Sequence, residues 1–475
     1  MANSILETLL TKLREATQNS EYKGKLSLVG GLLRDQALGL PLGSDLDLVL
    51  EGDAVALALF LYRAKLSPHY PVTYPRFGTA MIHVVVEGKS YPVELVSARA
   101  ESYAPESRKP EVRQGTLQED VFRRDFTINT LLQNLHTGEI LDLTGKAFDD
   151  LHAGIIRTPL EPRITFFDDP LRMLRAIRFA ARFGFEIEAT TWQAIVAEAE
   201  RLQTSAISAE RIRDEFLKIA KLPGAKFRLG MELLLRSRLL EQFLPEMLPM
   251  IGCTQGNWHL HDVWDHTLLA LTFLPDDAPL ETRLGLLWHD IGKPPTRSVG
   301  EDGASVRFYG HPKVGAEMVR GIMNRLKFSN DEIKAVTTLV AKHMRLGEYK
   351  SDWSDAPVKR LIRDVHPYLD ELFVLARCDR DAVGNIPAEE AADYEALRAR
   401  IDALNALSNV AQIESPLDGN DIRDVLNVEP GPILREAKDF LTNEVIDGRI
   451  REGDQEEARA ALRVWWTEFG GSQIV

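Results

Sequence analysis

Residues 28–50 read LVGGLLRDQALGLPLGSDLDLVL, and few local structures fit them. An apolar run (Leu26, Leu28, Val29) stops at Gly30-Gly31. A short amphipathic segment follows, with Leu32, Leu33, Ala37 and Leu38 on one side. A turn rich in Gly and Pro (Gly39, Pro41, Gly43) then leads to a second apolar run that carries Asp45 and Asp47. The pattern predicts strand, glycine turn, helix, loop, strand. On a strand, residues i and i+2 share a face, so Asp45 and Asp47 would aim two carboxylates at one point while Leu46 and Leu48 enter the core. Two bare carboxylates that close repel unless a cation lies between them, and hard oxygen ligands at that spacing suit Mg²⁺. Such a site can clamp the attacking and leaving oxygens of a phosphoryl transfer. Gly30-Gly31 would let backbone N–H groups approach a phosphate where a Cβ would clash. Arg34 is placed to add a fork of donors to it. A D-x-D pair alone reads more readily as a solvated strand edge, and Gly-Gly as a plain turn. The nearby Gly-Gly-x-x-Arg-Asp favours the phosphate reading.

Length and charge limit the alternatives. A chain of 475 residues holds about three domains. Its net charge of −14 excludes a protein coated in basic surface, so any nucleic-acid contact must come from a local stripe. The two cysteines, Cys253 and Cys378, lie far apart without metal-ligand spacing, as expected of reduced thiols in a cytoplasmic protein. The opening MANSILETLLTKLREA patterns as an amphipathic helix without the features of a signal peptide. No run approaches the length of a membrane span.

Further along, Asp53–Lys65 is helical by pattern, and Thr79–Glu87 and Tyr91–Val96 read as strands joined by Gly88-Lys89. Glu94 alternates with apolar Val93 and Leu95. It is a candidate third carboxylate of the metal site, or else a surface residue on an edge strand. Residues 97–120 are polar and aperiodic and read as a long loop. In VFRRDFTINTLLQNL (121–135), Phe126, Ile128, Leu131 and Leu132 form an apolar side beside Arg123, Arg124, Asp125 and Asn129. There a carboxylate could accept from a ribose hydroxyl while the arginines meet phosphate.

Three motifs in this order, GGLLRD…SDLDLVL, RRDFTINTL and DDPLRMLRAIRFAARFGF (168–185), resemble those of the class II tRNA nucleotidyltransferases, the CCA-adding enzymes, and of the related bacterial poly(A) polymerases. The likeness covers residues 26–250 and extends more loosely to the C-terminus. It implies a mixed-sheet head holding Mg²⁺ on Asp45 and Asp47, with Gly30, Gly31 and Arg34 on the triphosphate of CTP or ATP. Asp125 would lie on the ribose, with Arg124 nearby. Asp169 and Arg172 match the family's base-reading E-D-x-x-R motif, with Asp168 in place of its frequent Glu. They sit three apart, hence on one side of a helix, and a carboxylate with a guanidinium can pair with the Watson–Crick edge of either C or A. Arg172, Arg175, Arg178 and Arg182 form one stripe opposite Leu171, Leu174, Ile177 and Phe179. Beside a templating motif the stripe reads as nucleotide and acceptor-stem contacts. Arg108-Lys109-Pro110 matches the basic-proline motif of the family's flexible loop, which implies RNA contact and an enzyme able to add A. SAERIRDEFLKIA (208–220) is a good amphipathic helix with Ser208 as N-cap.

From residue 250 the character changes. NWHLHDVWDHTLLAL, LGLLWHDIGKP, GHPKVGAEM, VAKHMRL and LARCDRDA place His or His-Asp on successive apolar helices. Packing alone does not explain His289-Asp290 inside an apolar segment. The set resembles the HD metal-dependent phosphohydrolases. That likeness assigns His266, His289, Asp290 and Asp379 as a minimal metal shell, with His311 and His343 as the further ligands of a two-metal version. Imidazoles with carboxylates suit Mn²⁺, Ni²⁺, Co²⁺ or Fe²⁺, and Lys293 could stabilise a phosphate. The alternative is an inactive HD domain kept as an RNA platform. His259, His261 and Asp262 read as a solvated or capping cluster.

The expected architecture is therefore α+β: a nucleotidyltransferase head (1–150), a helical neck (151–250), an HD domain (251–385) and a helical tail (386–475). The expected reaction adds C and/or A to the 3′ end of tRNA from CTP and ATP, with pyrophosphate released. Poly(A) polymerisation and HD phosphohydrolysis of RNA-end or nucleotide phosphates stand as alternatives.

Overall fold

In the computed structural model the chain divides into two compact units, Met1–Leu222 with Lys226–Pro245 and Pro223–Ala225 with Glu246–Val475. The structure describes residues 2–43, 46–102, 111–205, 207–256, 260–301, 305–383, 393–407 and 410–470. Asp45, Arg108, Lys109 and His259 lie outside them.

The first unit opens with helix α1 (Ala2–Thr17) and is built on strands β1 (Leu26–Val29), β2 (Leu46–Leu50), β3 (Val72–Tyr74), β4 (Thr79–Val86) and β5 (Lys89–Ser97). Helices α2 (Gly31–Ala37) and α3 (Ala54–Arg63) interrupt them. Strands β6 (Arg99–Ser102) and β7 (Glu111–Gln114) form a separate antiparallel pair, and α4 (Leu117–Phe122), β8 (Leu132–Asn134) and β9 (Ile140–Leu141) complete the region. The main sheet has the order β3-β4-β5-β2-β1-β8-β9. Within it only β2 and β5 pair in parallel, so the sheet is mixed, as the resemblance implies.

Strand alternation sorts the sheet's two faces. Leu48, Leu50, Val93, Leu95, Ala80, Ile82 and Val84 are all buried, on the side where α1 and α3 pack. Each large aliphatic buried in this way contributes roughly 1.5–3 kcal/mol. Asp53 fixes the start of α3 by accepting from Val55 N and Ala56 N, a cap worth about 1 kcal/mol. On the opposite face Val29, Val49, Ala98, Val121 and Leu132 form a smaller cluster. The rest of that face carries Asp47 and Glu94.

Two segments depart from the sequence reading. Residues 97–120 are not one loop. β5 runs to Ser97, β6 and β7 pair, and a Thr116–Glu119 capping box starts α4. Glu119 holds Arg113 by a 2.6 Å ion pair, so a polar composition masked a local hairpin. The apolar side of 121–135 belongs to three short elements: the end of α4, a 3₁₀ turn at Thr127–Asn129 and β8.

Helices continue the unit: α5 (Ala147–Ala153), α6 (Pro162–Asp168), α7 (Leu171–Phe183), α8 (Ala189–Glu198), α9 (Arg201–Thr204), α10 (Ala209–Ala220), α11 (Gly224–Arg236) and α12 (Leu240–Phe243). Ser208 caps α10 by accepting from Arg211 N, as predicted, and α10 packs on α7.

The second unit is helical around α13 (Val263–Leu271), α14 (Leu280–Trp288), α15 (Lys293–Thr296), α16 (His311–Arg325), α17 (Asn330–Lys342), α18 (Asp355–Val365) and α19 (Leu369–Val383). Helices α13, α14, α17 and α19 pack pairwise, and α16 lies on α17. A Cβ on Gly292 would stand 2.2 Å from His311 O and 2.6 Å from Gly315 N. Only glycine permits that approach of the His-Asp turn to α16. Helices α20 (Tyr394–Leu407), α21 (Gly419–Leu426), α22 (Pro432–Ile446) and α23 (Gln455–Trp465) follow. The last three share a core of Leu417, Ile422, Leu426, Leu441, Ile450 and Leu462. No helix of the described residues is long and apolar enough to cross a membrane.

Candidate functional site

In the first unit the glycine turn and the carboxylate strand meet. Gly30 has φ +86°, the left-handed region that glycine enters without strain. A Cβ there would lie 3.6 Å from Asp47 Oδ2 and 3.9 Å from Arg124 Nη1. These groups line a cavity of ≈ 250 Å³ together with Gly31, Arg34, Asp125, Asn129, Arg175, Arg178, Phe179 and Arg182. Asp47 and Glu94 are register partners on parallel β2 and β5, so their carboxylates leave one face of the sheet side by side. Glu94 is exposed and Asp47 half-buried. Oxygen donors paired in this way are the set a hard divalent cation takes.

A second cavity of ≈ 240 Å³ is lined by Arg123, Arg124, Asp125, Asp169, Leu171, Arg172, Arg175 and Arg211. The two share Arg124, Asp125 and Arg175, so the carboxylate strand and the Asp169–Arg172 pair open onto adjoining space. The helical spacing assumed for that pair does not hold. Asp169 has extended backbone between α6 and α7, and α7 begins only at Leu171. Pro170 explains the break, because the residue before a proline avoids helical geometry. Asp169 Oδ2 accepts from Arg211 Nη2 at 2.9 Å, and Arg172 donates to Arg123 O at 2.7 Å.

The walls are held by ion pairs within this unit. Asp125 accepts from Phe126 N (2.8 Å), Asn129 Nδ2 (2.9 Å) and both Arg175 Nε and Nη2 (2.7 and 2.5 Å). These four donors fill the usual acceptor capacity of a carboxylate, so a ribose hydroxyl would have to share one of them. Burial acts to raise the Asp125 carboxyl, but Arg175 and Asn129 outweigh it and hold the group below its ordinary value. Arg34 is only 5% exposed. Its Nε donates to Asp35 and its Nη1 to Asn129, both at 2.7 Å, and its plane lies 5.1 Å from the Phe179 ring and 4.9 Å from Phe183. Arg34 thus lines the cavity while braced by Asp35 and Asn129. Arg178 donates to Glu215 on α10 at 2.8 Å, and Arg182 pairs with Asp35 at 3.1 Å. Phe179, assigned above to the apolar back of α7, also lines the cavity with Arg178 over its ring at 4.1 Å.

Sequence reasoning missed Asp35, Asp120, Glu215 and Arg211. Asp120 is fully buried and holds both Arg123 and Arg124. Its i,i+3 and i,i+4 spacing to them was the available signal. Glu215 reaches Arg178 from a helix 37 residues away in sequence, and no local pattern marks it.

The second unit brings together all six residues of the His/Asp set. His266 lies on α13, His289-Asp290 end α14, His311 starts α16, His343 follows α17 and Asp379 lies on α19. Two groups form, His266–His289–Asp379 and Asp290–His311–His343, each with ligand atoms within 4.8 Å of one another. His289 Nδ1 donates to Leu286 O (2.7 Å), His311 Nδ1 to Phe308 O (2.9 Å) and His343 Nδ1 to Val340 O (2.8 Å). A carbonyl can only accept, so each Nδ1 carries the proton and each Nε2 is turned inward. His289 Nε2 lies 3.2 Å from Asp290 Oδ2 and 3.4 Å from Asp379 Oδ1, at angles that give no hydrogen bond among the described residues. Burial opposes charge on His289, yet Asp290 and Asp379 push it up to about 10. Burial and the neighbouring His289 push His343 down to about 4. A buried imidazole kept charged between two carboxylates marks a place built for positive charge, and the inward Nε2 atoms fit a divalent transition metal. Lys293 Nζ contacts Asp290 Oδ2 and Gln255 Oε1, both at 2.7 Å, so it is bound to the cluster's own carboxylate. Asp262 caps α13, as expected.

Comparison with known proteins follows the same division. Residues 26–157 match the "Poly A polymerase head domain", 184–251 the "Probable RNA and SrmB- binding site of polymerase A" and 260–384 the "HD domain". The chain resembles the solved Bacillus stearothermophilus CCA-adding enzyme in complex with CTP (22% identity, TM-score 0.64, 99% of this chain and 98% of that one), which shows a common fold. It is 32% identical to the A-adding tRNA nucleotidyltransferase of Deinococcus radiodurans over 75% of this chain and 81% of that one. Against the CC-adding tRNA nucleotidyltransferase of Thermus thermophilus it is 34% identical over 74% of its own length and 78% of the relative, and likeness of this extent makes the chain an enzyme of the tRNA nucleotidyltransferase family.

Proposed function

We propose that the protein adds C and/or A to the 3′ end of tRNA, using CTP and ATP and releasing pyrophosphate. The observation that carries this reading is the pair of adjoining cavities with a common wall of Arg124, Asp125 and Arg175. One end offers Gly30, Gly31 and Asp47, and the other offers Asp169 and Arg172. A nucleoside triphosphate laid along that wall would have phosphates at the glycine turn, ribose at Asp125 and base at Asp169 and Arg172. The names of the relatives, CC-adding and A-adding, supply the reaction class. Residues 1–150 would act as head, 151–250 as neck, 251–385 as HD domain and 386–475 as tail.

In this reading the RNA 3′-hydroxyl attacks the α-phosphorus and pyrophosphate leaves. Mg²⁺ held by Asp45 and Asp47, with Glu94 the register partner of Asp47, would supply the positive charge that phosphoryl transfer requires. Arg124, Arg175, Arg178 and Arg182 neutralise the triphosphate as fixed donors that need no reorganisation during the reaction. Asp169 accepts from the amino group that C and A share, and Arg172 donates to the adjacent ring nitrogen. Arg108 and Lys109 would contact RNA.

The His/Asp cluster supports a second reading for the second unit, a phosphohydrolase using Mn²⁺, Ni²⁺, Co²⁺ or Fe²⁺. Its support is the inward set of Nε2 atoms about Asp290 and Asp379.

The test offers tRNA transcripts ending before CCA, after C and after CC to the purified protein with Mg²⁺ and CTP, ATP or both. Addition that stops once CCA is complete establishes the full enzyme. Addition of CC only, or of A only to the CC end, assigns half of a split pair. Long A tails would instead mark a poly(A) polymerase, and no addition would overturn the proposal.

A further inference from the structure

Across β2, β5, β4 and β3 the strand register places Asp47, Glu94, Met81 and Val72 in one row, and Val49, Val96, Thr79 and Tyr74 in the next. Neighbouring strands lie about 4.8 Å apart. Val72 is therefore roughly 14 Å from Asp47 on the same face, with Tyr74 one step further along β3. The apolar side chains at this end are not covered: Val72 is 46% exposed, Tyr74 50% and Phe77, just beyond, 51%. The other face of the same strands is buried against α1 and α3, so folding does not account for an apolar surface here.

Two observations say what would cover it. Pro71 and Pro75 flank the three-residue edge strand β3, so a ladder with another protein strand could run for three residues at most. This short edge favours a ligand that lies on the face. At the rim, Arg76, Arg99 and Arg113 line a cavity of ≈ 310 Å³ with Phe77 and with Asp53 at the start of α3, in a chain whose net charge is −14; Glu119 holds Arg113, so phosphate contacts fall to Arg76 and Arg99. Exposed aromatic rings beside arginines, on a surface leading to the carboxylates, form the arrangement that takes unpaired bases by stacking and their phosphates by charge. We propose that this face is the seat of the RNA 3′ end: the last nucleotides before the attacking hydroxyl stack over Met81, Val72 and Tyr74, and the phosphates behind them meet Arg76 and Arg99. The proposal rests on the nucleotidyltransferase reading and adds to it a track for the acceptor strand separate from the nucleotide cavities.

The test measures KM for a tRNA transcript and for CTP separately, together with equilibrium binding of a short fluorescent single-stranded RNA without nucleotide. Tyr74→Ala is expected to raise the RNA KM and weaken RNA binding about tenfold, with the CTP KM and melting temperature unchanged. Tyr74→Phe should restore both. Arg76→Ala should reduce the slope of log affinity against log salt by about one. Unchanged RNA affinity in Tyr74→Ala, or equal weakening of CTP, overturns the platform. If the wild type adds nucleotides while Tyr74→Ala binds RNA normally, only the platform falls. If the wild type adds none but RNA binding still depends on Tyr74, the activity reading falls and the platform stands.

Discussion

The head cavities and the His/Asp cluster use opposite means to hold charge. In the head, the carboxylates Asp47 and Glu94 stand at a solvated sheet face, and the arginines around them are braced by Asp35, Asp120, Asp125 and Glu215. In the second unit, imidazoles and carboxylates are packed inside a helical core, with the Nδ1 atoms of His289, His311 and His343 tied to carbonyls and their Nε2 atoms pointing inward. The first arrangement suits a substrate that brings its own charge and must leave after each addition. The second suits a resident ion, since a buried charged cluster is costly without one. The contrast teaches that ion-paired arginines position side chains for an incoming polyanion, whereas imidazole Nε2 atoms and carboxylates converging on one another in a buried core mark a place for a cation.

The largest effect should come from Asp47→Ala. Nucleotide addition is expected to fall by about 10³-fold or more, in the range set by loss of a charge-stabilising group at the reacting phosphate, with melting temperature and metal content of the second unit unchanged. An active variant would break the assignment of the head carboxylates. The reciprocal substitution, His289→Ala, should abolish transition-metal binding, read as metal per chain by elemental analysis, and leave nucleotide addition within about twofold, because sites that share no partners behave additively. Retained metal would show that the cluster is not a metal centre.

A smaller effect tests the bracing. Asp120 is buried and holds Arg123 and Arg124, yet it is not among the residues that line the Asp47 cavity. Asp120→Asn removes the charge and keeps the shape. It should raise KM for CTP and ATP by about tenfold while changing kcat less, since it loosens arginines on the nucleotide wall; buried-pair disruption of this kind also destabilises by about 3 kcal/mol. An equal fall in kcat with KM unchanged would place Arg124 in transition-state binding instead.

How much of this was legible in the sequence follows from range. The strand–glycine turn–helix–strand unit was readable because alternation and helical period act over a few residues, and Ser208 and Asp262 were readable as caps for the same reason. The six residues of the His/Asp set were readable by likeness, although they come from five separate helices. The β6–β7 pair was hidden because it rests on backbone pairing between two polar strands and not on an apolar stripe. Glu215 and Arg211 reach α7 and Asp169 across the fold, and neither sits in a pattern that a short window reveals. The exposed face at Val72 and Tyr74 emerged only from the register of four strands, since its residues are far apart in the chain.

The smallest effect at neutral pH separates the two regions by acid. Asp120 and Asp125 are buried, which acts to raise them, but Arg124 and Arg123 outweigh this for Asp120, and Arg175 and Asn129 do so for Asp125, leaving both below their ordinary values. A carboxylate with a lowered folded value stabilises the fold above its unfolded value, near 4. That contribution is lost as the pH falls from there through the lower folded value, because the unfolded chain takes up the proton first. The urea midpoint of the first unit should therefore hold steady between about pH 6 and 5 and fall below about pH 4. Asp120→Asn, already without one of these charges, should start lower and fall less steeply. Parallel slopes in wild type and variant would show that the Asp120 pair does not carry this acid sensitivity, and would reduce the contrast with the second unit to geometry alone.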